Sequence, residues 1–152
     1  MREFILILVF LIIGLAVSQT YAQDGLVTVQ SNYSVEETAD RLVNIFEKNG
    51  LTVFDKVDHQ KGASSVNMEM RPTMVIIFGN PKLGTPLMKC AQTTAIDLPQ
   101  KMLIWEAGDG KVKISYNSPE YLKKRHSIKG CNQELKKIAG ALNKFALKAA
   151  GN

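Results

Sequence analysis

One stretch, Arg71 to Met88, constrains the fold more than any other part of this chain. Met74 to Phe78 is a short, almost wholly apolar run of β-formers and reads as a strand covered on both faces. Gly79-Asn80-Pro81 stops it, because a ladder cannot continue through a proline that lacks an N–H. A loop is expected from Asn80 to Thr85, where Lys82, Thr85 and backbone N–H groups near Gly84 sit at the end of a buried strand. Polar groups in such a place are held rigidly, which is what a ligand contact needs.

Around this stretch the periodicities are regular. Leu26 to Ser31 alternates as a first strand, and Ser34-Val-Glu-Glu37 is a capping box opening a helix whose Val35, Ala39, Leu42 and Phe46 share one face. Asn49-Gly50 ends that helix. Leu51 to Val57 reads as a strand, Asp58 to Ala63 as a polar connection, and Ser64 to Met70 as an alternating strand leading on into Met74 to Phe78. Helical propensity appears from Leu83 to Ala95 once past Pro86. Lys101 to Glu106 and Lys111 to Tyr116 flank Asp109-Gly110, the clearest hairpin in the chain. A helical turn follows from Tyr121 to His126. Asn132 is the expected cap of a long final helix with Leu135, Ile138, Ala139, Leu142, Phe145, Ala146 and Ala149 in one apolar stripe. The order β-α-β-β-β-β-α predicts an α+β two-layer sandwich, with two main helices on one face of an antiparallel sheet. The other face stays open for a partner or a ligand.

The first 22 residues read differently. Phe4 to Val17 is an apolar run after Met1-Arg2-Glu3, ending in small and polar residues before Ala22, the pattern of a secretory signal cut after Ala22. The run falls short of the ~20 residues that span a bilayer comfortably, although a retained anchor is the alternative. The expected mature domain is 23–152, periplasmic or secreted. Its charge is uneven: residues 23–110 carry 8 basic and 11 acidic side chains, whereas residues 111–152 carry 10 basic and 2 acidic. A cationic C-terminal third suits anionic small molecules or envelope components, and for an exported protein these outrank nucleic acid. Cys90 and Cys131 in an exported chain predict one disulfide, with thiolate metal ligation as the alternative.

The blocks Arg71-Pro-Thr, Phe78 to Met88, Asp97-Leu-Pro and Tyr116-Asn-Ser-Pro-Glu-Tyr-Leu-Lys-Lys-Arg-His126, with the Asp58-His59 pair, resemble the bacterial and archaeal domain of unknown function numbered 302. The resemblance spans nearly the whole mature chain. It implies a two-layer fold similar to the TATA-box-binding-protein-like group, without implying DNA binding, and a tendency to form homodimers. It implies no activity. The chain departs from the family's pattern at Cys90, where small or apolar residues are usual, and at Gln100, where Leu is usual.

No metal-ligand spacing, nucleophile elbow or paired-carboxylate motif is present. The leading expectation is a non-enzymatic small-ligand-binding or sensing domain with no cofactor, using Asn80, Lys82, Thr85, Asn117, Arg125, His126 and His59. Both Asn80 and Asn117 follow a β-run, each has a Pro within two residues, and a cation follows each. The alternative is an enzyme with His59 or His126 as acid or base. A third reading takes Met68, Met70, Met74, Met88 and Met102 with the His and Cys residues as soft ligands for copper.

Overall fold

The structure, a computed structural model, describes residues 20–21 and 25–152. The expected signal run and the cut after Ala22 lie outside the described residues, apart from the pair Thr20–Tyr21. That pair is β1, hydrogen-bonded antiparallel to β2 (Leu26–Gln30). A chain cut after Ala22 keeps the other five strands.

β2 leads into α1 (Val35–Lys48), whose Ser34 side chain accepts from the Glu37 N–H at 3.1 Å as the capping motif requires. Val35, Thr38, Ala39, Leu42, Ile45 and Phe46 are buried, the stripe expected of a helix lying on a sheet. Gly50, at φ +69°, takes the left-handed turn into β3 (Thr52–Asp58).

Two expectations fail next. Asp58 accepts from the Lys61 N–H at 2.9 Å and caps a short helix, α2 (His59–Ser64), where the sequence predicts a polar connection. Ser64 to Met70 is not a strand. It turns through Asn67 at φ +57°, and Val66, Met68 and Met70 are exposed. β4 (Thr73–Gly79) already has β3 on one side and β5 (Gln100–Glu106) on the other, so no ladder beside it is left to fill. Alternation alone could not reveal that.

β4 buries Met74, Ile76 and Phe78 beneath the helices while Val75 and Ile77 are half-buried on the other face, so its cover is one-sided rather than complete. After it, α3 (Pro81–Cys90) starts at once, with Pro81 in the first turn, where its missing N–H costs nothing. The Asn80 to Thr85 segment is therefore the start of a helix, not a loop, and the Gly84 N–H is taken by the Asn80 carbonyl at 3.0 Å. A 3₁₀ turn (Gln92–Ile96) and Leu98-Pro99 lead into β5. The hairpin to β6 (Val112–Asn117) turns through Gly110 at φ +76°. α4 (Pro119–Arg125) is capped by Ser118, and α5 (Asn132–Ala150) by Cys131 in a left-handed conformation rather than by Asn132.

The strands form one antiparallel sheet in the order β1-β2-β6-β5-β4-β3. α1 and α5 cover one face side by side, joined by Arg41 Nε donating to the Ala149 carbonyl at 2.8 Å. This is the two-layer α+β sandwich expected. Phe46 of α1 stacks on Phe78 of β4 with ring centroids 3.8 Å apart, and Phe145 of α5 meets Phe46 edge-on at 5.7 Å. Cys90 and Cys131 are bonded, joining the end of α3 to the start of α5 across 41 residues of sequence. Closing a loop of that length restricts the unfolded chain by about 3 to 4 kcal/mol in the chain-entropy account. Urea unfolding of a Cys90→Ser/Cys131→Ser double variant should show a stability loss of about that size; equal midpoints with and without the bridge would contradict it.

Candidate functional site

β4 ends, β5 begins and β6 ends on the same side of the sheet, because Phe78 faces Gln100 across one ladder and Leu103 faces Ser115 across the next. At this end α3 packs against α5 and the 3₁₀ turn. Between them is a cavity of about 260 Å³. Phe78 and Gln100 line it from the strands, Leu83 and Met88 from α3, and Ile138, Ala141, Leu142 and Phe145 from α5, with Leu98 and Pro99 on the connecting segment. A β-bulge between Val53 and Asp55 turns Phe54 to the same cavity. Phe54 and Leu83 are exposed, 55% and 40% accessible, which is unusual for such side chains in a surface position and marks the apolar mouth.

Three polar side chains line this space. Asn80 is spent on structure: its Oδ1 accepts from the Lys82 N–H at 2.9 Å and its Nδ2 donates to the Gly50 carbonyl at 3.0 Å, fixing the start of α3 to the end of α1. Thr85 is exposed. Gln100 is 9% exposed, and its Nε2 has no hydrogen-bond partner.

A polar cluster stands behind one wall. Asp97, directly before Leu98, takes His126 Nε2 at 2.5 Å and Arg125 Nε at 3.2 Å. His126 Nδ1 meets the Thr93 hydroxyl at 3.1 Å. Both ring nitrogens of His126 are thus engaged, Nε2 by the Asp97 carboxylate and Nδ1 by the Thr93 hydroxyl. Arg125 also donates to the Tyr121 hydroxyl at 2.8 Å. That hydrogen bond, and then the Asp97 charge, raise the guanidinium pKa above its ordinary value. The His126 side chain is 5% exposed. The cluster is a latch between α4 and the 3₁₀ turn.

Of the residues singled out in the sequence, Asn80 and Thr85 line the cavity, and Lys82, Asn117, Arg125 and His126 lie at the same end of the sheet without lining it. His59 is at the opposite end, where Asp58 pairs with Met74. The soft ligands are scattered too. Both cysteines are bonded to each other, Met74 and Met102 are core, and Met68 and Met70 are exposed. Among the described residues no group of three His, Cys, Asp or Glu could hold a metal ion. Gln100 also lines the cavity and carries no site signal in the sequence, where the alternation from Lys101 leaves it out; in the structure β5 starts one residue earlier and the inward set is Gln100, Met102 and Ile104.

The profile of the family described as "Domain of unknown function DUF302" matches residues 27–145. The chain belongs to the DUF302 family. A crystal structure of an uncharacterised DUF302 protein from Bacillus stearothermophilus superposes with a TM-score of 0.67 at 19% identity, over 84% of this chain and 96% of that one, and so supports the fold alone. Fluoride-specific ion channel FluC 1 of Brucella suis is 46% identical over 104 residues, 68% of this chain but 41% of the channel protein. FluC 2 of Brucella melitensis gives the same identity over 38% of its length. This DUF302 chain thus spans about two fifths of those relatives. None of the helices among its described residues is long and apolar enough to cross a membrane.

Removing His126 leaves Asp97 short of a buried partner, so His126→Ala should lower stability by about 1 to 3 kcal/mol in urea unfolding. Arg125→Ala, at an exposed pair, should cost less. The reverse ranking would refute the latch.

Proposed function

We propose that this DUF302 domain binds a small, mostly apolar molecule in the cavity between α3, α5 and the ends of β4 and β5, and does not transform it. The observation carrying this reading is the cavity itself. Its lining is almost wholly apolar, and it opens through exposed Phe54 and Leu83. A concave apolar site with few polar groups is the usual form of a small-molecule pocket. Binding is favoured over acid–base catalysis because His126 has both ring nitrogens engaged and does not line the cavity, while His59 is at the far end of the sheet.

The setting we propose is the cell envelope, reached by the N-terminal signal run, with the protein as a homodimer. The uncovered sheet face supports the dimer: Leu103 and Trp105 line a groove there together with Met68 and Met70. The relatives named as fluoride channels support a place at the membrane beside such a channel. Fluoride itself does not suit this cavity, since an anion would lose its hydration against apolar walls with no cation among them.

Native mass spectrometry of the protein exported with its own N-terminus should give a mature chain beginning at Gln23, a dimer mass and retained small molecule. In thermal melts, small apolar compounds should raise the melting temperature by several degrees while fluoride leaves it unmoved. Ala141→Phe, which places a ring in the cavity, should abolish that rise in a protein that still melts cooperatively. An undiminished rise in this variant would place the binding elsewhere.

A further inference from the structure

The two helices that wall the cavity carry the same pattern of charge. On α3, Lys82 and Lys89 stand two turns apart with Thr85 between them; on α5, Lys137 and Lys144 stand two turns apart with Ala141 between them. Residues three and four apart share a helix face, so each lysine pair brackets a residue that lines the cavity. All four lysines are exposed, and none belongs to the lining. Lys101 is a further cation at the same rim. Its Nζ donates to the carbonyls of Asp97 at 3.3 Å and Pro99 at 3.1 Å, and Pro99 is part of the wall.

Acidic groups do not offset these charges. α3 and the 3₁₀ turn contain none, and α5 has Glu134 alone. Asp97 is taken up by His126 and Arg125, and on β3 the Asp55 carboxylate beside Phe54 accepts from the Lys56 N–H at 2.7 Å. The mouth thus has an apolar centre, where Phe54 and Leu83 are exposed, and a cationic surround. A small ligand arriving from water has no use for the surround. An acidic protein would pair with the lysines and leave the exposed rings and the open cavity without a match. An anionic bilayer uses both, since apolar side chains enter the boundary of the acyl chains while lysines beside them meet the head groups.

Resting on the reading of this cavity as a binding pocket, we propose that its mouth is a docking face for an anionic phospholipid bilayer. Phe54 and Leu83 enter the bilayer surface, and Lys82, Lys89, Lys137 and Lys144 contact the head groups. Apolar occupants then pass between membrane and cavity without crossing water. Trp105, on the uncovered face of the sheet, stays outside the contact.

The test is binding of the exported protein to vesicles of phosphatidylglycerol and phosphatidylcholine in equal parts, against vesicles of phosphatidylcholine alone. The mixed vesicles should bind at least about tenfold more tightly, and high salt should remove most of the difference. Lys137→Gln/Lys144→Gln should weaken that binding roughly twentyfold, about fivefold for each lysine near the surface. Lys61→Gln/Lys111→Gln removes the same charge at the opposite end of the sheet, in α2 and at the β5–β6 turn, and should bind as the parent does. Equal losses in the two double variants, or equal binding to the neutral vesicles, would overturn the docking face. In Phe54→Trp the added emission should move to the blue on mixed vesicles and be quenched by brominated acyl chains, whereas Trp105 in the parent should do neither. Quenching of Trp105 in the parent would put the uncovered sheet face on the bilayer instead and overturn the proposal. Absence of vesicle binding would overturn the docking and leave the pocket, whose own test is the thermal shift with small apolar compounds. Absence of that shift, with lysine-dependent vesicle binding intact, would remove the pocket and leave the docking face.

Discussion

Phe46 of α1 lies flat on Phe78 of β4, and the edge of Phe145 of α5 closes on Phe46. The three rings tie both main helices to the centre of the sheet, and stacked and edge-on pairs of this kind add to the area they bury. Phe78 and Phe145 also line the cavity. The cavity is therefore the place where the core stops short of closing. Leu42, Ile76 and Met102 are fully buried in the core, whereas between α3 and α5 the packing is left open. Core and site share their walls, so the rigidity that holds the fold also holds the pocket.

The remaining wall, from α3 through the 3₁₀ turn to Pro99, has little sheet to rest on. It is fastened instead at two points. The Cys90–Cys131 bridge fixes the end of α3 to α5, and the Asp97 carboxylate is held by His126 and Arg125 from the end of α4. Both fastenings use groups outside the cavity. The Arg125-His126 pair thus shapes a site that it does not touch, which explains why residues so suggestive in sequence are absent from its lining.

What was legible in the sequence was local. The Ser34 cap, the Asp109-Gly110 hairpin and the apolar stripe of α5 each rest on neighbours within a few residues, and all three were found where the pattern put them. Ser64 to Met70 has strand alternation, but β4 is paired on both sides by segments remote in sequence, so the alternation finds no ladder there. Asn80-Pro81 reads as a turn in isolation and becomes a helix start because the Asn80 side chain is bonded to Gly50, thirty residues away. Cys131 displaces Asn132 as the cap of α5 through a left-handed backbone that no residue type announces. Of the candidate site, the Asn80 to Thr85 segment was legible and the α5 wall was not, since Ile138, Ala141 and Leu142 look the same in sequence whether they face packed core or open cavity.

The central claim is that the space bounded by Phe78, Leu83, Leu142 and Phe145 is a real apolar cavity open to small molecules. Dry apolar cavities take up xenon, whatever their natural occupant. Crystals of the protein pressurised with xenon should show an anomalous peak between α3 and α5, beside Gln100 and Phe78. A filled, well-ordered core at that position with no xenon peak would contradict the account.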